Sequence, residues 1–211
     1  CIETDITSAG ISLLNISTSE SRLLYSNTTE DFFQVPSLYY DDQLKRLWIG
    51  TGSAGLFYYD IIRKSLSDIP IRNFPKQPIL AIRKDAKNTL LIGIDGQGIW
   101  NISEKGDTIL HIYKEDLNNP FSLRGDGVYD ILCDGSKNWI ATFTGKLSFF
   151  ENNNSQITPV TYQINNPNSL GNNYVNQIIE DHEGHIWFAT NNGVSRWDAA
   201  SNKWKHYYQN K

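Results

Sequence analysis

The 211-residue sequence predicts an all-β protein, and three observations carry that expectation. Aromatic residues make up 12% of the chain, and such side chains suit a pleated, half-buried strand better than a helix. Gly follows Asp or Asn at Asp95-Gly96, Asp126-Gly127, Asp134-Gly135 and Asn192-Gly193, pairs that supply the positive φ of tight hairpin turns. Above all, short apolar runs bounded by such turns recur at a nearly fixed period.

The recurring segments are WIGTGSAGLFYYD (48–60), LIGIDGQGIWNIS (91–103), WIATFTGKLSFFE (139–151) and WFATNNGVSRWD (187–198). Each opens with Trp or Leu, passes a short Gly-bearing turn and continues as an alternating apolar strand. The opening position advances by 43 to 48 residues from one copy to the next. Residues 1–15 fit the same frame, with Cys1 in the Trp position and Asn15 in the last. Upstream of each copy lies another shared segment: VPSLYYD (35–41), ILAIRKD (79–85), VYDILCD (128–134) and VNQIIED (175–181). Each starts with Val or Ile, carries Leu or Ile three residues later and ends in Asp. A polar turn and a further strand follow each copy, as in DTILHIY (107–113).

Four short strands per repeat of this length are the signature of a β-propeller blade. The chain reads as a single propeller region over 1–211. A partial blade (1–26) begins inside its second strand, and four complete blades follow at 34–74, 79–113, 127–163 and 174–209. The Asp column (Asp41, Asp85, Asp134, Asp181) falls where strand one turns into strand two, where a carboxylate can accept backbone N–H bonds. The Trp column (Trp48, Trp139, Trp187) is expected to fill the space between blades, and the Gly column (Gly10, Gly55, Gly98, Gly193) to permit positive φ in the second hairpin. In the remaining copy Lys146 takes the Gly position with Gly145 before it, so that turn is expected to differ. Four blades and a fragment read as an open arc, with apolar faces at both ends that favour association.

Composition excludes several functions. The formal net charge is −4 and no Lys/Arg run interrupts it, which argues against a nucleic-acid partner. No stretch of about 18 apolar residues exists, so no membrane contact by this segment is expected. Two cysteines are too few for a disulfide framework. The absence of Met marks the chain as a processed or excised piece.

The run NNPNSLGNNYVNQIIEDHEGHIWFATNNGVSRWD (165–198) closely resembles the propeller repeat of two-component regulators, and NNPFSLRGDGVYDILCDGSKNWIATFTG (118–145) is a second, nearly equal copy. The two earlier copies are looser: Leu91 replaces the Trp, Ile94 the Thr, and the Ser-Leu lead-in is missing. The resemblance covers essentially the whole chain. It implies the periplasmic sensor half of a Bacteroidetes hybrid two-component histidine kinase, a protein that recognises oligosaccharides from glycan breakdown. It also implies that further blades of the parent protein complete the ring, which is generally seven-bladed, and that the parent is a homodimer. No kinase segment lies in this chain, so no enzymatic activity is expected of it.

No catalytic, metal or cofactor motif stands out. The segment DHEGH (181–185) lacks the Asp/Asn spacing of a calcium loop, and it misses the frame of a sialidase-type Asp box. His182 and His185 are read as turn residues. Function is therefore expected in the loops at one face, around the channel mouth. The candidate ligand-binding residues there are Asp95, Gln97, Arg124, Asp126, Phe143, Asn172, Asn173, Asn191 and Asn192. Amides, carboxylates and an aromatic ring suit sugar hydroxyls and apolar sugar faces. The alternative is a secreted propeller enzyme of lyase or glycosidase type, for which Asp95 and Asp126 are the candidate carboxylate pair.

Overall fold

A computed structural model of the chain describes residues 2–5, 10–26, 34–144 and 146–208. Cys1 and Gly145, both given a place in the repeat, lie outside them. All regular elements among the described residues are strands, arranged in five antiparallel sheets. The first holds three strands, β1 (Ile2–Asp5), β2 (Gly10–Leu14) and β3 (Ser21–Ser26). The second is β4 (Ser37–Asp41), β5 (Arg46–Gly50), β6 (Leu56–Asp60) and β7 (Ser65–Asp68). The third is β8 (Ile79–Lys84), β9 (Leu90–Ile94), β10 (Gly98–Ile102) and β11 (Ile109–Tyr113). The fourth is β12 (Val128–Cys133), β13 (Lys137–Thr142), β14 (Lys146–Glu151) and β15 (Thr158–Val160). The fifth is β16 (Val175–Glu180), β17 (Ile186–Thr190), β18 (Gly193–Asp198) and β19 (Lys203–Tyr207). This is a β-propeller portion with a partial first blade and four complete ones.

Packing runs from each blade to the next. The innermost strands β4, β8, β12 and β16 contact one another in sequence. Apolar clusters join blades one and two (Ile11 with Leu47 and Ile49), two and three (Trp48 with Ile79 and Ile82), three and four (Leu91 with Val128 and Ile131), and four and five (Trp139 with Val175 and Ile178). No such cluster among the described residues joins the first blade to the fifth.

The Val-x-x-Ile spacing of the innermost strands has a structural cause. Side chains alternate along a strand, so residues three apart face the same way only if one extra residue is inserted. β8, β12 and β16 each carry that bulge, between Ile79 and Ala81, Val128 and Asp130, and Val175 and Gln177. Both members of each pair are thereby buried: Ile79 and Ile82, Val128 and Ile131, Val175 and Ile178. The inserted residues are Leu80, Tyr129 and Asn176.

The Asp column locks the first hairpins. Asp41 Oδ1 accepts Gln43 and Leu44 N–H, Asp85 Oδ1 accepts Lys87 and Thr89 N–H, Asp134 Oδ1 accepts Ser136 and Lys137 N–H, and Asp181 Oδ1 accepts Glu183 and His185 N–H. The Asn-Asn-Pro-x-Ser-Leu lead-ins are also structural. Ser122 Oγ accepts Asp116 N–H at 3.0 Å, Ser169 Oγ accepts Gln163 N–H at 3.0 Å, and Leu123 and Leu170 are fully buried anchors. In the second hairpins Gly98 and Gly193 have φ of 74° and 87°, and a Cβ at either would lie within 2.3 Å of the carbonyl oxygen of Tyr113 or Tyr207.

One expectation needs correction. Trp48 and Trp139 are buried between blades at 0% and 2% exposure, but Trp187 is only half-buried. Each Trp is covered by the blade that follows it, and among the described residues no sheet follows the fifth. Trp187 instead stacks on Tyr207, with centroids 5.4 Å apart, beneath the Arg196 guanidinium.

Candidate functional site

Each complete blade ties its second hairpin to the chain entering its innermost strand by one backbone bond. The donors and acceptors are Gly52 N–H to Gln34 O (3.0 Å), Asp95 to Pro78 (2.9 Å), Phe143 to Gly127 (2.7 Å) and Asn191 to Tyr174 (3.1 Å). The repeated bond brings two side-chain positions to the same end of each sheet. One is the hairpin residue (Gly52, Asp95, Phe143, Asn191). The other, in blades three to five, is the bulge residue (Leu80, Tyr129, Asn176).

In the fourth blade these two positions form an aromatic platform. Phe143 lies on Tyr129 with ring centroids 3.9 Å apart and planes 17° from parallel. Phe143 is 51% exposed, so one ring face is braced and the other is open. Gly127 makes the arrangement possible: a Cβ there would lie 3.1 Å from Phe143 Cβ and Cδ2 and 3.3 Å from Asp95 Oδ1. Asp95 of the third blade and Phe143 of the fourth thus converge on one glycine. Among the described residues no side-chain hydrogen bond or ion pair engages the Asp95 carboxylate. In the fifth blade the same two positions hold an exposed amide pair, Asn176 Nδ2 donating to Asn191 Oδ1 at 2.9 Å.

Of the other candidates, all but Asn192 bond through their side chains to their own or neighbouring loops. Asp126 Oδ1 accepts Glu115 N–H at 2.7 Å, and Asn173 Oδ1 accepts Tyr162 N–H at 2.7 Å in the equivalent place one blade on. Asn172 Oδ1 accepts Tyr174 N–H at 2.8 Å. Gln97 Oε1 accepts from Lys114 Nζ at 3.2 Å, and the Arg124 guanidinium donates to Pro120 O at 2.5 Å. Asn192 is exposed, its N–H bonded to Thr190 Oγ1 at 3.1 Å. Of the candidate carboxylate pair, Asp126 therefore serves its loop. Tyr129 and Asn176 were missed by sequence reasoning, although the three-residue Val-to-Ile spacing signals the bulge that presents them.

Asp130, next to Tyr129, joins residues of three blades. Its Oδ1 accepts Arg83 Nη2 (3.1 Å) and Ile131 N–H (2.9 Å), and its Oδ2 accepts Ile178 N–H (2.9 Å). Burial pushes the Asp130 carboxyl above its ordinary pKa, while the hydrogen bond from Ile178 and the charge of Arg83 pull the other way. At the opposite end of the fifth blade, potential metal donors of Asp181, Glu183 and His185 lie within 4.8 Å of one another. The Asp181 oxygens there are already engaged by two backbone N–H groups, the Trp187 indole and His185 Nδ1, which accounts for the grouping without an ion.

Residues 169–192 match the family described as two component regulator propeller. Among solved structures, the extracellular domain of the putative hybrid two component system BT4673 from B. thetaiotaomicron is 18% identical, with a TM-score of 0.52 over 94% of this chain and 32% of that one. A catalytically inactive virginiamycin B lyase from Staphylococcus aureus, solved with quinupristin, is 14% identical, with a TM-score of 0.71 over 100% of this chain and 69% of that one. A chain of the mitotic checkpoint complex is 13% identical, with a TM-score of 0.63 over 93% and 57%. At these identities the likeness is one of fold. The chain spans about a third of the length of the BT4673 domain it matches. No curated protein matches the sequence.

Proposed function

We propose that this chain, a run of two-component regulator propeller repeats, is part of the extracytoplasmic, periplasmic sensor of a hybrid two-component system and responds to glycan-derived oligosaccharides. The observation that carries the ligand class is the half-exposed Phe143 ring braced by Tyr129, with Asp95 and the Asn176–Asn191 pair at corresponding positions of the neighbouring blades. An open aromatic face with a carboxylate beside it is suited to a sugar ring, which has an apolar face and a hydroxyl rim. Placement outside the cytoplasm is supported by the fold likeness to the extracellular domain of a putative hybrid two component system. Among the described residues no helix is long and apolar enough to cross a membrane. The partners in this reading are the oligosaccharide, the remaining blades of the parent protein and a second parent copy. The chain senses without catalysing, and a histidine kinase elsewhere in the parent carries the signal.

A glycan array followed by thermal-shift titration tests this. Oligosaccharide hits that raise the melting temperature support it, and a protein that binds no glycan on the array refutes it. The competing reading, a secreted lyase or glycosidase, predicts cleavage products when a hit is incubated with the protein. The sensor reading predicts that the hit is recovered intact.

A further inference from the structure

We propose that Phe143, Tyr129 and Asp95 form a subsite for an uncharged sugar ring and that Asp95 excludes acidic oligosaccharides from it. This deepens the oligosaccharide reading and rests on it. The platform is preorganised: Phe143 is fixed by its backbone bond to Gly127 and by the Tyr129 stack, so little ordering remains when a ring lands on its open face. Asp95 stands beside it: a Cβ added at Gly127 would lie 3.3 Å from Asp95 Oδ1 and 3.1 Å from Phe143 Cβ. An ionised carboxylate only accepts hydrogen bonds, so it can take hydroxyl donors at the rim of a stacked sugar.

The same carboxylate disfavours a uronate. Two carboxylates brought together repel, and the acidic ligand has no donor to offer at that position. Of the cations in the adjoining loops, Arg124 donates to Pro120 O and Lys114 to Gln97 Oε1, and among the described residues no ion pair joins a cation to Asp95. Asp126, the other candidate carboxylate, is bonded to Glu115 N–H, whereas among the described residues no hydrogen bond or ion pair engages the Asp95 carboxylate.

Calorimetric titration of the protein with two probe sets tests the subsite, one of neutral gluco-, manno- and xylo-oligosaccharides and one of oligogalacturonates. The expected result is binding of a neutral probe and none of the uronates. Phe143→Ala should weaken the neutral probe at least about tenfold, since stacking supplies most of the contact. Asp95→Asn should weaken it about threefold to tenfold and bring uronate binding closer to neutral binding. Both side chains are at the surface, and unchanged melting curves confirm that the variants fold. Uronates binding wild type as tightly as neutral probes would overturn the charge selection while leaving the oligosaccharide reading intact. Neutral binding that survives both substitutions would overturn the subsite, also leaving that reading intact. Binding of neither class overturns the subsite, and the glycan array decides the oligosaccharide reading.

Discussion

The indole of Trp139 donates its Nε1–H to Asp134 Oδ2 at 2.8 Å, and one blade on Trp187 donates to Asp181 Oδ2 at 2.7 Å. In both blades the Asp that locks the first hairpin also holds the indole, and in the fourth that indole fills the gap to the next blade. In the second blade the relationship is broken. Asp41 Oδ2 there takes Lys84 Nζ of the third blade at 3.0 Å, and Trp48 Nε1 has no acceptor among the described residues.

Two phenylalanine substitutions should therefore differ. Trp139→Phe loses a hydrogen bond to a charged acceptor, worth about 2 kcal/mol, in addition to buried area. Trp48→Phe removes an indole N–H that has no partner and should cost less by about that amount. Urea unfolding of both variants measures the difference, and equal losses would show that the indole bond adds nothing to stability.

Acid should destabilise the fold through this column. Burial pushes the Asp134 carboxyl up, but bonds from Lys137 N–H, Trp139 and Ser136 outweigh it and hold the pKa below the ordinary value. The Asp181 pKa is lowered, chiefly by the Trp187 indole. A lowered folded-state pKa gives stability that is present above the unfolded value of about 3.9 and is lost as pH falls through the folded one. Asp130 runs the other way: its raised pKa makes stability rise slightly as pH falls through that value. Melting temperatures recorded from about pH 7 to about pH 2 should hold steady and then drop below about pH 4. Asp134→Asn should show a shallower drop than wild type.

Truncating the tryptophans should give unequal costs. Trp139→Ala empties a fully enclosed site and should cost about 3–5 kcal/mol. Trp187→Ala, at a half-buried position, should cost roughly half of that. Denaturation midpoints at constant m-value report both, and an equal cost would mean that Trp187 is covered in solution.

Asp130→Ala should destabilise by about 2–3 kcal/mol, because it strips an acceptor from the Ile131 and Ile178 N–H groups and the partner from Arg83. Asp130→Asn retains an acceptor and should cost less. Chemical denaturation compares them, and indistinguishable variants would argue against a clasp across three blades.

Much of this architecture is encoded over short distances and can be read from the chain. An Asp two to four residues before the N–H groups it binds, a Gly with positive φ in a hairpin, and a Ser six residues after the N–H it accepts are each satisfied within one turn or loop. The period of these motifs therefore defines the blades, and the Val-x-x-Ile spacing even contains the bulge. The tertiary structure decided the rest. The period does not disclose that Asp126 and Asn173 are taken up by their loops while Asp95 is not, because each bond reaches a residue 11 positions away. It does not bring Asp95 beside Phe143, since the two belong to different blades and meet only where packing places them against Gly127. Nor does it expose Trp187, whose burial depends on a neighbouring sheet. Local hydrogen bonding is specified by residues a few positions apart, whereas contacts between blades depend on how separate sheets pack, which a repeat pattern leaves open.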